Sequence, residues 1–182
     1  MSSVSQTPPK APGGFGRWFA ISMAVVVLIL LIALRGAWPY ILHMAANARL
    51  HGPDMALWAR LSLPIKLHIF GALSALALGA VLMTQRKGRL FHRTAGWIWV
   101  SLVLLVAGSS LFITSLNHGR WSILHLFTGW TLISLPLAVM WARRRNVARH
   151  RRFMMGLFYG GFAVNLLIAF IPGRTMWNLL LG

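Results

Sequence analysis

The sequence predicts an all-helical integral membrane bundle, and three observations carry that prediction. The chain is 58% hydrophobic and only 10% charged, with a mean hydropathy of +0.70, outside the range of soluble domains. Its apolar residues gather into five runs, 18–42, 63–84, 95–116, 121–141 and 153–172. Each comes near the roughly 20 residues that a helix needs to cross about 30 Å of hydrocarbon. None alternates apolar with polar residues, as the strands of a membrane barrel would.

Taken in order, residues 1–17, MSSVSQTPPKAPGGFGR, are rich in Ser, Pro and Gly and read as a disordered cytoplasmic tail. Run 18–42 is longer than the core of a secretory signal and no small-x-small cleavage site follows it, so it reads as an uncleaved first transmembrane helix. Residues 43–62 form an outer loop, in which ANARLHGPDMALWARL predicts a short interfacial helix with Leu57, Trp58 and Leu61 toward lipid. Residues 63–182 then supply a four-helix transmembrane core. The connections QRKGRLFHR and NHGR are short enough to force antiparallel neighbours, and ARRRNVARHRR makes a longer basic turn. Pro136 predicts a kink in the fourth span.

A net charge of +17 on a lipid-embedded chain reports topology rather than nucleic-acid binding. With the N-terminus inside, twelve Lys and Arg residues fall on the cytoplasmic side and six outside, which predicts N-in and C-out. Trp18, Trp38, Trp121, Trp141 and Trp177 lie near span ends, where amphipathic rings favour the headgroup layer. The basic inner face is expected to meet anionic headgroups.

Composition also limits the chemistry. No cysteine is present, so disulfides, thiolate metal sites and covalently attached haem are excluded. Asp54 is the single acid, which rules out paired-carboxylate catalysis and carboxylate proton relays. Histidines, hydroxyls or a cofactor remain.

An internal repeat organises the histidines. LHIFGALSALALGAVLMTQRKGRLFHR set against LHLFTGWTLISLPLAVMWARRRNVARHR aligns His68 with His125 at a shift of 57 and His92 with His150 at a shift of 58. Each unit reads as a helical hairpin, and two parallel copies build the four-helix core. Gly71, Ala75 and Gly79 recur every four residues on the stripe of His68, and Gly156 with Gly160 forms a GxxxG pair. Such faces suit close backbone packing or a flat ligand.

Buried ionisable groups in lipid are costly and usually face the bundle interior. His68 and His125, each about one turn below the outer surface on the second and fourth spans, are therefore candidate axial ligands of one haem iron, as in b-type cytochromes. The alternative is that each snorkels to the interface or bonds a carbonyl on a neighbouring helix. His92 and His150, set in Arg-rich stretches, are candidate ligands of a second haem or members of a basic face on anionic lipid. Sixteen residues from His68 to Thr84 carry the chain about 24 Å, so the two haems would lie on opposite sides of the membrane. Arg35, Lys66 or Arg120 outside, and Arg93 or Arg151 inside, are candidates to neutralise haem propionates, or else interface anchors. His43, His51 and His118 read as outer-loop residues, with His118 a possible part of an outer zinc or copper site. Asn165, Ser109 and Ser110 read as interhelical hydrogen-bonding groups.

The pattern LHIFGALSALALGAVLMTQRKGRLFHRTAGWIWV, followed by HRRFMMGLFYGG, resembles the bacterial membrane-protein family catalogued as domain of unknown function 2306. The residues that carry the likeness are His68, Gly71, Gly79, His92, Arg93, Gly96, His150, Arg151 and Met154. It covers the second to fifth spans and implies a bacterial inner-membrane location, with no activity attached. In arrangement the core is also similar to two-haem transmembrane cytochromes of the ascorbate-reducible b type. That likeness implies pairing His68 with His125 and His92 with His150. Here a short hairpin between His68 and His92 pushes the inner pair toward the membrane surface.

Two functions are thus expected of the sequence. One is a b-type haem protein carrying electrons in or across the inner membrane. The other is a cofactor-free accessory or assembly subunit that binds a membrane protein or a second copy of itself. A transporter is disfavoured because no acidic residue and no broken helix pair lines a path.

Overall fold

A computed structural model describes residues 34–113 and 125–181, together with residues 17, 20, 21, 24, 25, 27, 28, 31 and 32. Most of the expected tail, the NHGR connection, His118, Arg120 and Trp121 lie outside the described residues. The chain divides into two compact units, Met1–Gly36 and Ala37–Gly182. In the first, the described residues from 17 to 32 are helical.

The helix expected over 18–42 is not continuous. A turn at Leu34 leads into a single 3-10 turn, Arg35–Ala37, and a new helix α1, Trp38–Ala46, begins there. Gly36 weakens the helix, and Pro39, which has no N–H to give a preceding turn, is favoured only in the first turn of the next one. Asn47 ends α1, its side-chain amide donating to His43 O at 2.8 Å.

Within the segment expected to carry an interfacial helix lies a short helix, α2, Met55–Arg60, only six residues long. Asp54 sets its start: one carboxylate oxygen accepts from the amides of Ala56 and Leu57, both at 2.9 Å. Upstream of that cap the chain is clasped to the C-terminal helix. Arg49, His51 and Asp54 donate their amides to Leu181, Leu180 and Leu179 at 3.2, 3.0 and 3.0 Å. The segment before the core and the segment after it therefore lie at one end of the bundle, as an even number of crossings between them requires.

Four helices among the described residues are long and apolar enough to span a membrane. The first, α3, is Leu63–Thr84, as the apolar run predicts. The second, α4, is Leu90–Ser110, beginning and ending earlier than the run 95–116. The third, α5, is His125–Arg143 and contains Pro136. The fourth runs over Val147–Ala169 as α6, Val147–Met155, a π segment, Gly156–Ala163, and α7, Val164–Ala169. A closing helix, α8, is Thr175–Leu180. The early starts of α4 and α6 have one cause: hydropathy marks depth in lipid, whereas a helix extends into the headgroup layer as long as its backbone bonds close. In α6 the polar first turn is capped by Asn146, whose side chain accepts from Arg149 N at 3.1 Å.

α3 packs on α4 and on the π segment, and α5 packs on α4, α6 and the π segment. This closes a ring with α3 and α5 at opposite corners. Its core joins Ala75, Trp99, Val103, Leu135 and Leu157, all nearly inaccessible. Small residues on α3 allow the approach, as expected. A methyl at Gly71 would lie 3.1 Å from Val106 Cγ2, and one at Gly79 would lie 2.5 Å from Phe158 and 2.7 Å from Trp99 Nε1. The GxxxG pair behaves otherwise: among the described residues, nothing lies within 4 Å of such a methyl at Gly156 or Gly160.

Candidate functional site

His68 of α3 and Thr128 of α5 meet the last turn of α4 from two sides. Gly71, one turn below His68 on α3, lets α4 come close, and the His68 ring reaches across to Val106 O with Nδ1 at 3.0 Å. A carbonyl only accepts, so Nδ1 carries the proton and Nε2 is left as the ring's lone-pair donor. Ser109 Oγ donates to the same carbonyl at 3.0 Å and lies 3.4 Å from His68 Nδ1. On the other side, Ser110 meets Thr128 of α5 hydroxyl to hydroxyl at 2.7 Å. His125, half-buried, precedes Thr128 by three residues and so shares its side of α5. Ser109 and Ser110 thus do the interhelical bonding expected of them, while Asn165 bonds within its own helix, to Gly161 O at 2.6 Å.

His92 and His150 stand at the starts of the two return helices, which begin before the apolar runs do. His150, in the first turn of α6, donates from Nδ1 to Ala138 O on α5 at 2.9 Å, and the fully buried Ala138 leaves room for that approach. That bond leaves its Nε2 as the nitrogen turned away from the carbonyl. His92, in the first turn of α4, has a buried Nδ1 with no hydrogen-bond partner among the described residues. It lies within electrostatic range of His150 and of Lys87. The fold thus brings the inner pair together from opposite corners.

Between the two ends stands an aromatic layer that sequence reasoning did not single out. Trp99 donates its indole N–H to Ala75 O at 2.8 Å and packs against Phe162 with ring centroids 6.0 Å apart. Phe158 lies 6.3 Å from Phe162 and covers Gly79. The signal was spacing: His92, Trp99 and Val106 are seven residues apart, one stripe of α4 that meets the inner pair, the aromatic layer and His68 in turn. The carbonyl partners Val106 and Ala138 had no signal, since every residue has a carbonyl.

The charged candidates separate. Lys66 is committed to Ala59 O at 3.1 Å. Arg35, Arg93 and Arg151 are exposed, and Arg93 shares the outward stripe of Trp97. His43 is exposed at the end of α1, and His51 Nδ1 lies 2.6 Å from Gly52 O. Among the described residues no group of three or more His, Asp or Glu side chains is placed to hold a metal ion.

As a test of fit for haem, the centre of the bundle is filled by Trp99, Phe158 and Leu135 and has no room for a macrocycle. The ends carry the matching donor chemistry: imidazoles with one nitrogen tied to a backbone carbonyl, the usual support of a metal-ligating histidine.

No curated protein and no solved structure matches the chain. A family model described as "Predicted membrane protein (DUF2306)" matches residues 65–179, from the first turn of α3 into α8. The chain belongs to that family of membrane proteins.

Proposed function

We propose that this membrane protein is a small b-type haem protein, with His68 and His125 serving one haem at the outer end and His92 and His150 a second at the inner end. The observation that carries the reading is the matched pair of ring ties. One histidine of each pair, His68 and His150, gives its Nδ1 proton to a carbonyl of the neighbouring helix and keeps Nε2 for a ligand. Haem, when bound, supplies a one-electron iron couple. The chain's own part is to hold the imidazoles oriented, and to keep water out of the span between them with Trp99, Phe158 and Phe162. The inner site draws further support from the unpartnered Nδ1 of His92. We place the chain in the bacterial inner membrane with its basic loops cytoplasmic, on the charge asymmetry.

The test is the reduced-minus-oxidised visible spectrum and haem content of detergent-purified protein from haem-replete cells. Two haems per chain are expected, with His68→Ala and His150→Ala each removing one and shifting the remaining spectrum differently. Colourless, folded protein overturns the reading.

A second reading is favoured by a separate observation. Gly156 and Gly160 meet nothing among the described residues at the place of a Cβ, which suits a helix of a partner or of a second copy laid against the π segment, as an accessory subunit would require. Bulky residues there would then abolish association while His68→Ala leaves it intact.

A further inference from the structure

α4 and α5 touch closely at their outer ends and around Leu135, but pair far less intimately than α3 with α4. The gap between them is an apolar groove of about 320 Å³, with Trp97 and Leu104 on one wall, Pro136 and Met140 on the other, and Arg143 at its inner mouth. Trp97, Leu104 and Pro136 are exposed to the surroundings, so the groove opens sideways to lipid rather than into the bundle.

Two features select an occupant. The first is length. Arg93 lies one turn inward from Trp97 on the same stripe, and the eleven residues from Arg93 to Leu104 rise about 16 Å. That is close to half of the roughly 30 Å hydrocarbon layer, the depth of one leaflet. The second is charge. Arg143 lines the groove on the α5 side, and Arg93, which lies beyond the lining one turn from Trp97 on the α4 side, is exposed like it, both toward the end where the basic loops lie. The only acid in the chain, Asp54, is clasped to Leu179 at the opposite end. Arg144 and Arg149 are occupied differently, with guanidinium groups 5.9 and 4.3 Å from the Trp141 ring, whereas Arg143 lines the groove.

We propose that this groove binds one anionic phospholipid of the leaflet at the basic end, with an acyl chain lying between Trp97 and Pro136 and its phosphate held by Arg93 and Arg143. An apolar electron carrier of the same length would fill the groove but would leave both guanidinium groups without an anion. Bulk attraction of acidic lipid to the basic loops would need no groove and would follow total charge.

The experiment reconstitutes the full chain in phosphatidylcholine vesicles containing a minor fraction of phosphatidylglycerol, with bromine on the chains of one lipid or the other. Quenching at Trp97 is taken as the difference from the Trp97→Phe variant. On the order of tenfold preference for brominated phosphatidylglycerol is expected at low salt, given the attraction of two arginines at a membrane surface. Arg93→Gln with Arg143→Gln should bring that preference near one. The charge-matched pair Arg149→Gln with Arg152→Gln, on α6 and outside the groove, should leave it. All four positions are exposed, and quenching of the other tryptophans reports whether each variant is folded in the bilayer. Equal loss in both double variants, or equal quenching by the two brominated lipids, overturns the proposal. So does displacement of both lipids by an added quinone with no dependence on Arg93 or Arg143.

Discussion

The two hairpins of the core are copies in sequence and unequal in structure. In the first, α3 and α4 meet along a stripe of small residues, and the tight turn between them is made by Gly88, at φ +83°. In the second, α5 carries a proline, the return helix passes through a π segment, and the turn is made by Arg145 at φ +56°. Asn146 N bonds to Trp141 O and Arg145 N to Ala142 O, at 2.9 and 3.0 Å, the two bonds of a left-handed helix stop that normally takes glycine. The ring ties are also reversed. His68 on the leading helix of the first hairpin reaches the return helix, while His150 on the return helix of the second reaches the leading one. A repeated motif preserves where a histidine sits along the membrane; which neighbour it bonds depends on where small residues let backbones approach.

The largest expected effect contrasts glycines of the two hairpins. Gly79→Leu should destabilise by about 3 kcal/mol or more, because Phe158 and Trp99 fill the space beside it, and should broaden or abolish the unfolding transition in detergent. Gly160→Leu should change the same transition by no more than about 0.5 kcal/mol, the level of an unconstrained surface change. Comparable losses at both positions would mean that the second hairpin is packed as tightly as the first.

Next in size, Trp99→Phe should cost about 1–2 kcal/mol through the lost bond to Ala75 O and reduced packing at the aromatic layer, read as a lower midpoint in a denaturing-detergent titration. Arg145→Gly should act in the opposite direction. Removing a Cβ from the left-handed region should raise stability by about 1 kcal/mol, whereas Gly88→Ala in the first hairpin should lower it by a similar amount. Should both changes move the midpoint the same way, the turns differ in more than conformation.

The smallest effect is expected at the outer end, where Thr128→Val removes one interhelical hydroxyl contact. Ser110 keeps its bond to Ala107 O, at 2.8 Å, so the loss should be about 0.6 kcal/mol, near the average for such bonds in membrane helices. A much larger loss would show that this contact alone fixes α5 against α4.

Much of this was legible in the sequence, and the parts that were not share a cause. The run 63–84 coincides with α3 because Pro64 and the polar residues after Thr84 close it at both ends. The run 95–116 was displaced from α4, since Leu90 to Thr94 mix apolar and basic residues that hydropathy does not count as membrane although they are helical. The break at Gly36 was hidden inside an apolar run for the same reason: hydropathy averages over a glycine and a proline that backbone geometry does not ignore.

By itself the sequence determined the solvent of this protein, its helical class and the spacing of its four core histidines along their helices, because each follows from residue type and from the fixed rise of a helix. The tertiary structure alone decided which carbonyl each ring addresses, which glycines are covered and which are open, and that an aromatic layer stands between the two histidine levels. Those depend on contacts between residues dozens of positions apart, set by how closely two backbones can approach, and no local pattern encodes that distance.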